Sequence, residues 1–185
     1  MENLQNHFLI AMPSLEDPLF KRSVTYICEH NDEGAMGIVI NHPLEVKVAD
    51  LLSQLQISFD SDSPAAKAHV CAGGPVQHDR GFVLHLAKEG YSSSMRLNDG
   101  LMVTTSKDIL LDLTTEHAPE KFILALGYAG WTKGQLEQEI ADNAWLLIPA
   151  DNSIIFDLSH ADKWRTATAK IGIQTWQLTN EAGHA

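Results

Sequence analysis

The chain has 185 residues, 44% of them apolar, and this length and composition predict one globular domain that spans residues 1–185. Thirteen basic against 24 acidic residues give a formal net charge of −11, which repels phosphate backbones and argues against direct nucleic-acid binding. No stretch reaches the roughly 18 apolar residues that span a bilayer, and the first residues do not resemble a signal peptide, so we expect a cytoplasmic protein with no membrane partner.

The first third of the chain predicts three strands and one helix. The apolar run Phe8–Met12 indicates a short buried strand, and Ser23–Cys28 and Met36–Asn41 indicate a β-hairpin around a turn at residues 30–34. Apolar residues at helical spacing then predict an amphipathic helix that begins at Val48.

The middle of the chain predicts a loop followed by short strands. Residues 58–66 are polar and contain a proline, which indicates a loop. His69–Ala72 and Gly81–Leu86 are expected to be strands, separated by the break at Gly73-Gly74-Pro75. Two further strands should flank Asn98-Asp99-Gly100, because an Asp-Gly pair tolerates the positive φ of a hairpin turn.

The last third alternates helices with strands. Thr105 or Ser106 is expected to cap a helix, and the apolar segment Lys121–Leu126 predicts a central strand covered on both faces. Trp145–Ile148 and Ser153–Phe156 are expected to be two more strands.

The start of the helix after residue 131 carries the most complete local signal. Thr132 and Gln135 have the spacing of a capping box, and Trp131 and Leu136 have the spacing of a hydrophobic staple. The carboxylates of this helix are expected to form a solvated face; they are Glu137, Glu139 and Asp142.

The order of elements predicts the fold class. A last helix should begin at Ser159 and end at Gly172, and the tail from about Thr179 is expected to be mobile. Interleaved strands and helices with several hairpins predict an α/β protein of the α+β kind, a mixed, largely antiparallel β-sheet sandwich with flanking helices.

Two runs rich in glycine and aromatic residues predict a surface for a ligand or partner. One extends from Gly73 to His85 and the other from Gly127 to Glu137, and both place glycines beside large rings where a strand ends. The candidate residues are Gly73, Gly74, Pro75, Asp79, Arg80, Phe82, His85, Gly127, Tyr128, Gly130 and Trp131. The alternative is that the small residues only let the rings pack inside the fold.

Three polar residues of the first run also fit an enzyme that acts on an anionic small molecule. Asp79, Arg80 and His85 could together bind an anion and move a proton. The alternative is that Asp79 pairs with Arg80 or caps the turn. The odd spacing of Phe82 and His85 places them on opposite faces of a strand.

Cys28 is the candidate for a reactive thiol, with His30 as a neighbouring base. Cys28 continues the apolar face of its strand, which favours a buried structural cysteine. A metal site made of Cys28, His30 and Cys71, with His69 as a further ligand, is disfavoured, because C-x-H and H-x-C are not zinc spacings. We therefore predict no metal and no cofactor.

Further ordered motifs accompany the two runs. They are Phe8-Leu9-Ile10-Ala11-Met12-Pro13, Asp17-Pro18-Leu19-Phe20, Arg22-Ser23-Val24, Tyr26–His30, Gly34–Asn41, Asn143, Trp145 and Phe156-Asp157. Over nearly the whole chain these motifs resemble the AlgH/YqgE family of bacterial proteins. The resemblance implies an α/β sandwich and no established reaction. Members of that family are described as transcriptional regulators through a genetic link to alginate production, which is not a demonstrated DNA-binding activity.

Three functions remain open at this point. The first is a regulatory or adaptor domain that binds a protein or a small ligand at a cleft rich in glycine and aromatic residues. The second is an enzyme that acts on an anionic small molecule through Asp79, Arg80 and His85, although no recognised catalytic motif occurs. The third is a transcriptional regulator, whose direct DNA binding the net charge disfavours. We assume a monomer.

Overall fold

The structure is a computed structural model that describes residues 2–172. In chain order its elements are β1 (His7–Ala11), β2 (Val24–Asn31), β3 (Gly34–Val39), β4 (Pro43–Lys47), α1 (Val48–Gln54), α2 (Pro64–Lys67), β5 (His69–Ala72), β6 (Val76–Leu86), β7 (Ser94–Asn98), β8 (Leu101–Thr104), α3 (Asp108–Asp112), β9 (Phe122–Thr132), α4 (Gln135–Ala141), β10 (Trp145–Pro149), α5 (Asn152–Phe156) and α6 (His160–Ala169). No helix among these residues is long and apolar enough to cross a membrane.

The chain folds into two compact units. The first comprises the residues up to 41 and from 129 onward, and the second comprises residues 42–128. Strand β9 supplies residues to both units, because the division falls between Tyr128 and Ala129. The prediction of one domain over residues 1–185 stays a prediction, and the predicted mobile tail from Thr179 lies outside the described residues.

The first unit is built on an antiparallel sheet in the order β10-β1-β2-β3-β9. Its apolar face is closed by α4, whose Leu136 is buried with Trp131 and Trp145. Helix α6 is tied to the same sheet by two side chains. The Trp164 indole donates to the Ala11 carbonyl at 3.0 Å, and the buried Lys163 ammonium donates to the Ile40 carbonyl at 2.9 Å.

The second unit is built on a mixed sheet in the order β4-β5-β9-β6-β8-β7. Only the β5–β9 pair is parallel among its described strand pairs. Helices α1 and α3 pack on this sheet through a buried cluster made of Val48, Leu52, Ile57, Val70, Val83, Ile109, Leu113 and Leu124. The apolar stripe of α1 thus forms the core that its helical spacing predicts.

The mixed, largely antiparallel α+β class predicted from the sequence is confirmed. The hairpin of β2 and β3 and the hairpin around Asn98-Asp99-Gly100 both form. The segment predicted to be a central strand is the first part of β9, which pairs with β6 on one side and β5 on the other. A last helix forms after Ser159, as predicted.

The local structure differs from the predictions at several places. Residues 153–156 lie in α5, because the Asp151 carboxylate accepts from the Ser153 N–H at 2.9 Å and caps a helix there. The predicted loop 58–66 contains the start of α2, which Ser63 caps. Strand β4 had no sequence signal, because its residues are mostly exposed. Neither Thr105 nor Ser106 is the N-cap of α3; Lys107 holds that position.

The start of α4 differs from the predicted capping box. Thr132 is the last residue of β9, and the helix begins at Gln135 after Gly134. Half of the predicted pairing exists, because the Gln135 side chain accepts from the Thr132 N–H at 3.0 Å. The positive φ of Gly134, +77°, provides the turn between strand and helix.

Candidate functional site

The two glycine-rich runs meet in the second unit, through the glycines at positions 73, 74 and 127. The Gly73 N–H donates to the Leu126 carbonyl at 2.8 Å. A Cβ on Gly73 would lie 2.3 Å from the Gly127 carbonyl oxygen, and a Cβ on Gly127 would lie 2.4 Å from the Gly74 carbonyl oxygen. Real Cβ atoms do not approach backbone that closely, so only glycine allows the two segments to cross here.

Above this crossing, strand β6 carries a bulge. Val76 pairs with Tyr128 of β9, and the next paired residue of β6, Gly81, pairs with Leu126. Four residues of β6 therefore lie opposite Gly127 alone; they are Gln77, His78, Asp79 and Arg80. These four residues are all exposed, and Gln77 has a positive φ of +47°. Bulges of this kind turn side chains away from the sheet, and proteins use them next to functional sites. We call residues 73–82 with Gly127 and Tyr128 the glycine–aromatic corner.

Arg80 and two aromatic rings are packed together at this corner. The Arg80 guanidinium lies 5.6 Å from the centre of the Phe82 ring, and that ring meets Tyr128 edge-on at 5.5 Å. Arg80 also donates to the Gln77 side chain at 3.3 Å and to the Thr105 hydroxyl at 3.2 Å. Phe82 is buried, whereas Tyr128 is half-buried and presents the accessible aromatic surface of the pair.

The second run divides after Tyr128, and Gly130 and Trp131 belong to the first unit. Trp131 is only 7% exposed, and its indole N–H donates to the Glu139 carboxylate at 2.9 Å. The expectation that this ring lines a docking surface is therefore wrong. The aromatic rings of Phe20 and Trp145 pack around Trp131.

The structure does not place His85 beside Asp79 and Arg80. His85 is fully buried, and its position in β6 puts it on the face opposite Phe82, as the alternation predicts. Its Nδ1–H donates to the Leu86 carbonyl at 2.8 Å, so Nε2 accepts from the Thr104 hydroxyl at 2.7 Å. Burial lowers the pKa of His85, which keeps the imidazole neutral. The His85 imidazole therefore does not contribute to an anion-binding site with Asp79 and Arg80.

Cys28 is a buried thiol, and its surroundings disfavour the reactive form that a nucleophile needs. Its side chain is fully buried, and burial followed by the charge of Glu29 raises the pKa of the Cys28 thiol. The β2–β3 register shifts between Ile27 and Glu29, so a bulge at Cys28 interrupts the alternation that would pair the thiol with His30. Cys71 is also buried, and neither cysteine forms a disulfide. No group of three or more metal-ligating side chains occurs among residues 2–172.

His30 instead pairs with a residue that the sequence does not point to. The Leu4 N–H donates to His30 Nδ1 at 3.1 Å, so the proton lies on Nε2, which donates to Glu137 Oε1 at 2.7 Å. This hydrogen bond lowers the pKa of Glu137. Sequence reasoning placed Glu137 on a solvated helix face, and no local signal links two residues 107 positions apart.

The His30–Glu137 pair forms part of the wall of a pocket in the first unit. The pocket has a volume of about 330 Å³, and Glu2, Asp32, Lys133 and Gly134 also line it. Its charged groups come from the N-terminal segment, the β2–β3 turn and the start of α4. This site was missed from the sequence, although the Cys28-Glu29-His30 motif had drawn attention to His30.

Comparison with known proteins assigns the family. The AlgH-like family model matches residues 8–176. A UPF0301 protein of Pseudoalteromonas translucida (strain TAC 125) is 57% identical, and one of Shewanella sp. (strain ANA-3) is 54% identical, each over 100% of both chains. The solution structure of the AlgH protein from Pseudomonas aeruginosa has a TM-score of 0.78 and 46% identity over 99% of this chain and 96% of its own.

A more distant structure shares the fold. The crystal structure of protein DIP2367 from Corynebacterium diphtheriae has a TM-score of 0.71 at 22% identity, and the match covers 92% of this chain and 88% of that one. The resemblance inferred from the sequence motifs is therefore confirmed, and the chain belongs to the AlgH-like family.

Proposed function

We propose that the protein is a cytoplasmic regulatory or adaptor domain that binds a partner protein at the glycine–aromatic corner. The observation that carries the proposal is the exposed bulge of residues 77–80 held over the packed rings of Phe82 and Tyr128. The left-handed φ of Gln77 in this bulge, +47°, costs backbone strain, and such strain is concentrated at functional sites.

The residue types at the corner are those that dominate protein–protein binding energy. Arginine and tyrosine are enriched among the few interface residues that contribute most affinity. Arg80 is already held by Gln77, Thr105 and the Phe82 ring, so it loses little conformational freedom when a partner binds. Residues 75–80 are all exposed, which leaves a continuous stretch of chain for contact.

The unsatisfied groups at the corner indicate the chemistry of the partner. Among the described residues, Arg80 uses two of its five N–H donors, and the Tyr128 hydroxyl and the Asp79 carboxylate have no hydrogen-bond partner. A partner segment that presents a carboxylate to Arg80 and an apolar side chain to Tyr128 would satisfy both. Asp79 would then select for a hydrogen-bond donor next to that carboxylate.

Photo-crosslinking followed by affinity measurement tests this proposal. A photoreactive amino acid at the exposed position His78 should capture one protein repeatedly from the native cell extract. The identified protein, once purified, should bind the wild-type domain, and Arg80→Ala should weaken its affinity about tenfold or more, because truncating an interface arginine of this kind commonly costs that much. Tyr128→Ala should have a similar effect.

Arg96→Ala is the matched control, because Arg96 is an exposed arginine of the same unit, outside the corner. The proposal fails if Arg96→Ala weakens binding as much as Arg80→Ala, or if affinity for the captured protein does not depend on Arg80. It also fails if no protein is captured and a small metabolite alone shifts the Tyr128 NMR signals. That result would identify the corner as a small-ligand site.

A further inference from the structure

The start of the described chain is attached to the first unit through an imidazole. The Leu4 N–H donates to His30 Nδ1 at 3.1 Å, across 26 positions of sequence. We propose that His30 is a pH-sensitive latch, whose protonation releases residues 2–4 from the first unit. The inference uses none of the residues of the glycine–aromatic corner, so either proposal can fail without the other.

Only the neutral imidazole can hold Leu4. A backbone N–H donates and cannot accept, so His30 Nδ1 carries a lone pair, and the ring proton lies on Nε2, which donates to Glu137 Oε1 at 2.7 Å. Protonation adds an N–H at Nδ1, and two donors then face each other with no acceptor between them. The hydrogen bond to Leu4 is therefore lost, whereas the one to Glu137 becomes an ion pair.

Burial makes the loss of this hydrogen bond consequential. His30 is 9% exposed and Leu4 is 8% exposed, so both partners lie inside the fold. A buried N–H without an acceptor costs free energy, and movement of residues 2–4 into water removes that cost. The same movement withdraws the Leu4 side chain from the buried cluster that contains Trp131 and Trp145.

The next residues provide a fixed point from which the segment can move. The Asn6 N–H donates to the Ile27 carbonyl at 3.0 Å, and the Ala150 N–H donates to the Asn6 carbonyl at 2.9 Å. Neither hydrogen bond involves a titratable group. Asn6 should therefore stay in place when Leu4 is released.

The charged groups around His30 stabilise the imidazolium once it has formed. They are Glu137 of α4, Glu2 of the N-terminal segment, Asp32 of the β2–β3 turn, Glu29 beside His30 in β2, and Lys133 before α4. Strand β3 faces His30 with Ala35, which does not titrate. The hydrogen bond from His30 lowers the pKa of Glu137, so this carboxylate remains ionised between about pH 5 and pH 8, where histidines commonly titrate.

NMR spectroscopy of the full chain between about pH 8 and pH 5 tests the latch. The hydrogen-exchange protection factor of the Leu4 amide should fall about tenfold or more as the pH is lowered, because a released amide is no longer shielded by the fold. Its chemical shift should change with the same midpoint as the ring signals of His30. The Asn6 amide should keep its protection over the whole range.

Two charge-removing variants locate the effect. Glu137→Gln should move the midpoint to lower pH, because it removes the carboxylate that pairs with the imidazolium. Glu116→Gln is the matched control, since it changes the net charge equally at an exposed residue beside His117. His30→Phe should leave the Leu4 amide unprotected at every pH, with Asn6 still protected as the sign that the fold persists.

Three results would overturn the inference. The first is a Leu4 protection factor that does not change between about pH 8 and pH 5. The second is a loss of protection at Leu4 and Asn6 together, which would show general loosening of the first unit rather than release of residues 2–4. The third is a midpoint that Glu116→Gln moves as far as Glu137→Gln does.

Discussion

Glu139 accepts hydrogen bonds from two buried indole rings in the first unit. Its Oε2 lies 2.9 Å from the Trp131 Nε1 and 2.8 Å from the Trp145 Nε1, and its Oε1 accepts from the Gln135 side chain at 3.0 Å. Phe20 meets the Trp145 ring edge-on at 5.6 Å. One carboxylate thus satisfies both indole donors within an aromatic cluster, and an indole N–H left without an acceptor would lose stability.

Replacing Glu139 by Gln should destabilise the protein by about 1–3 kcal/mol, because a neutral amide is a weaker acceptor and cannot serve both indoles equally. Urea unfolding monitored by tryptophan fluorescence measures this loss, and the native emission should change as well. Asp142→Asn at the C-terminal end of the same helix is the control, since Asp142 is exposed and its side chain hydrogen-bonds only with Gln138 among the described residues. Equal stability of the two variants would contradict the role given to Glu139.

At the scale of elements, glycine conformation decides how β6 and β9 can cross. Gly127 and Gly134 have nearly the same φ, +76° and +77°, but very different surroundings. A Cβ on Gly127 would meet the Gly74 carbonyl at 2.4 Å, whereas a Cβ on Gly134 would meet nothing within 4 Å. Substitutions at these two glycines therefore separate the free-energy cost of a left-handed backbone from the cost of a steric clash with neighbouring backbone.

Gly134→Ala should cost roughly 1–2 kcal/mol, which is the penalty for a left-handed residue with a side chain. Gly127→Ala should cost about 1–3 kcal/mol more, because the added methyl group also forces the two backbone segments apart. Thermal and chemical unfolding of both variants check the difference. Similar losses for the two variants would mean that the crossing relaxes easily and that Gly127 is not required by space.

An ion pair stabilises the N-cap of α5. The Lys170 ammonium and the Ser153 side chain lower the pKa of Asp151 to about 2, and Asp151 also caps α5. An aspartate in an unfolded chain titrates near about 3.9, so folding releases protons between these two values. The contribution of this carboxylate is complete above about pH 4 and is lost as the pH falls towards about 2.

Asp151→Asn should remove that pH dependence while keeping the cap, since asparagine is as good an N-cap residue as aspartate. The stability difference between wild type and variant should therefore shrink as the pH is lowered from about 4 to about 2. The effect should be small and sensitive to salt, because the Asp151 side chain is 34% exposed. Unfolding curves at several pH values measure it, and a difference that is constant with pH would show that the charge is not involved.

At the scale of the whole molecule, the net charge of −11 argues against DNA binding, the simplest meaning of the description of this family as transcriptional regulators. Direct binding to duplex DNA needs several cationic contacts to phosphate, and acidic side chains outnumber basic ones 24 to 13 here. We expect no shift of duplex DNA in gel-shift experiments even at about 50 mM salt, where such contacts are strongest. A shift that weakens steeply as salt rises would restore DNA binding as a function. A regulatory role through a partner protein predicts no such shift.

The sequence by itself determined most of the elements and the family. Local patterns predict the hairpins, the apolar face of α1 and the helix after Ser159. These features depend on backbone preferences and on apolar spacing within a few residues. The glycines at positions 73 and 127 were also recognised, because only a residue without a side chain tolerates such turns.

Only the tertiary structure decided which side chains meet. The sequence could not show that Glu137 pairs with His30, that Glu139 joins Trp131 to Trp145, or that the second run divides between two units. Each of these contacts depends on which strand pairs with which and where a bulge shifts the register. Because those choices arise from the packing of whole elements, a short window of residues does not contain them.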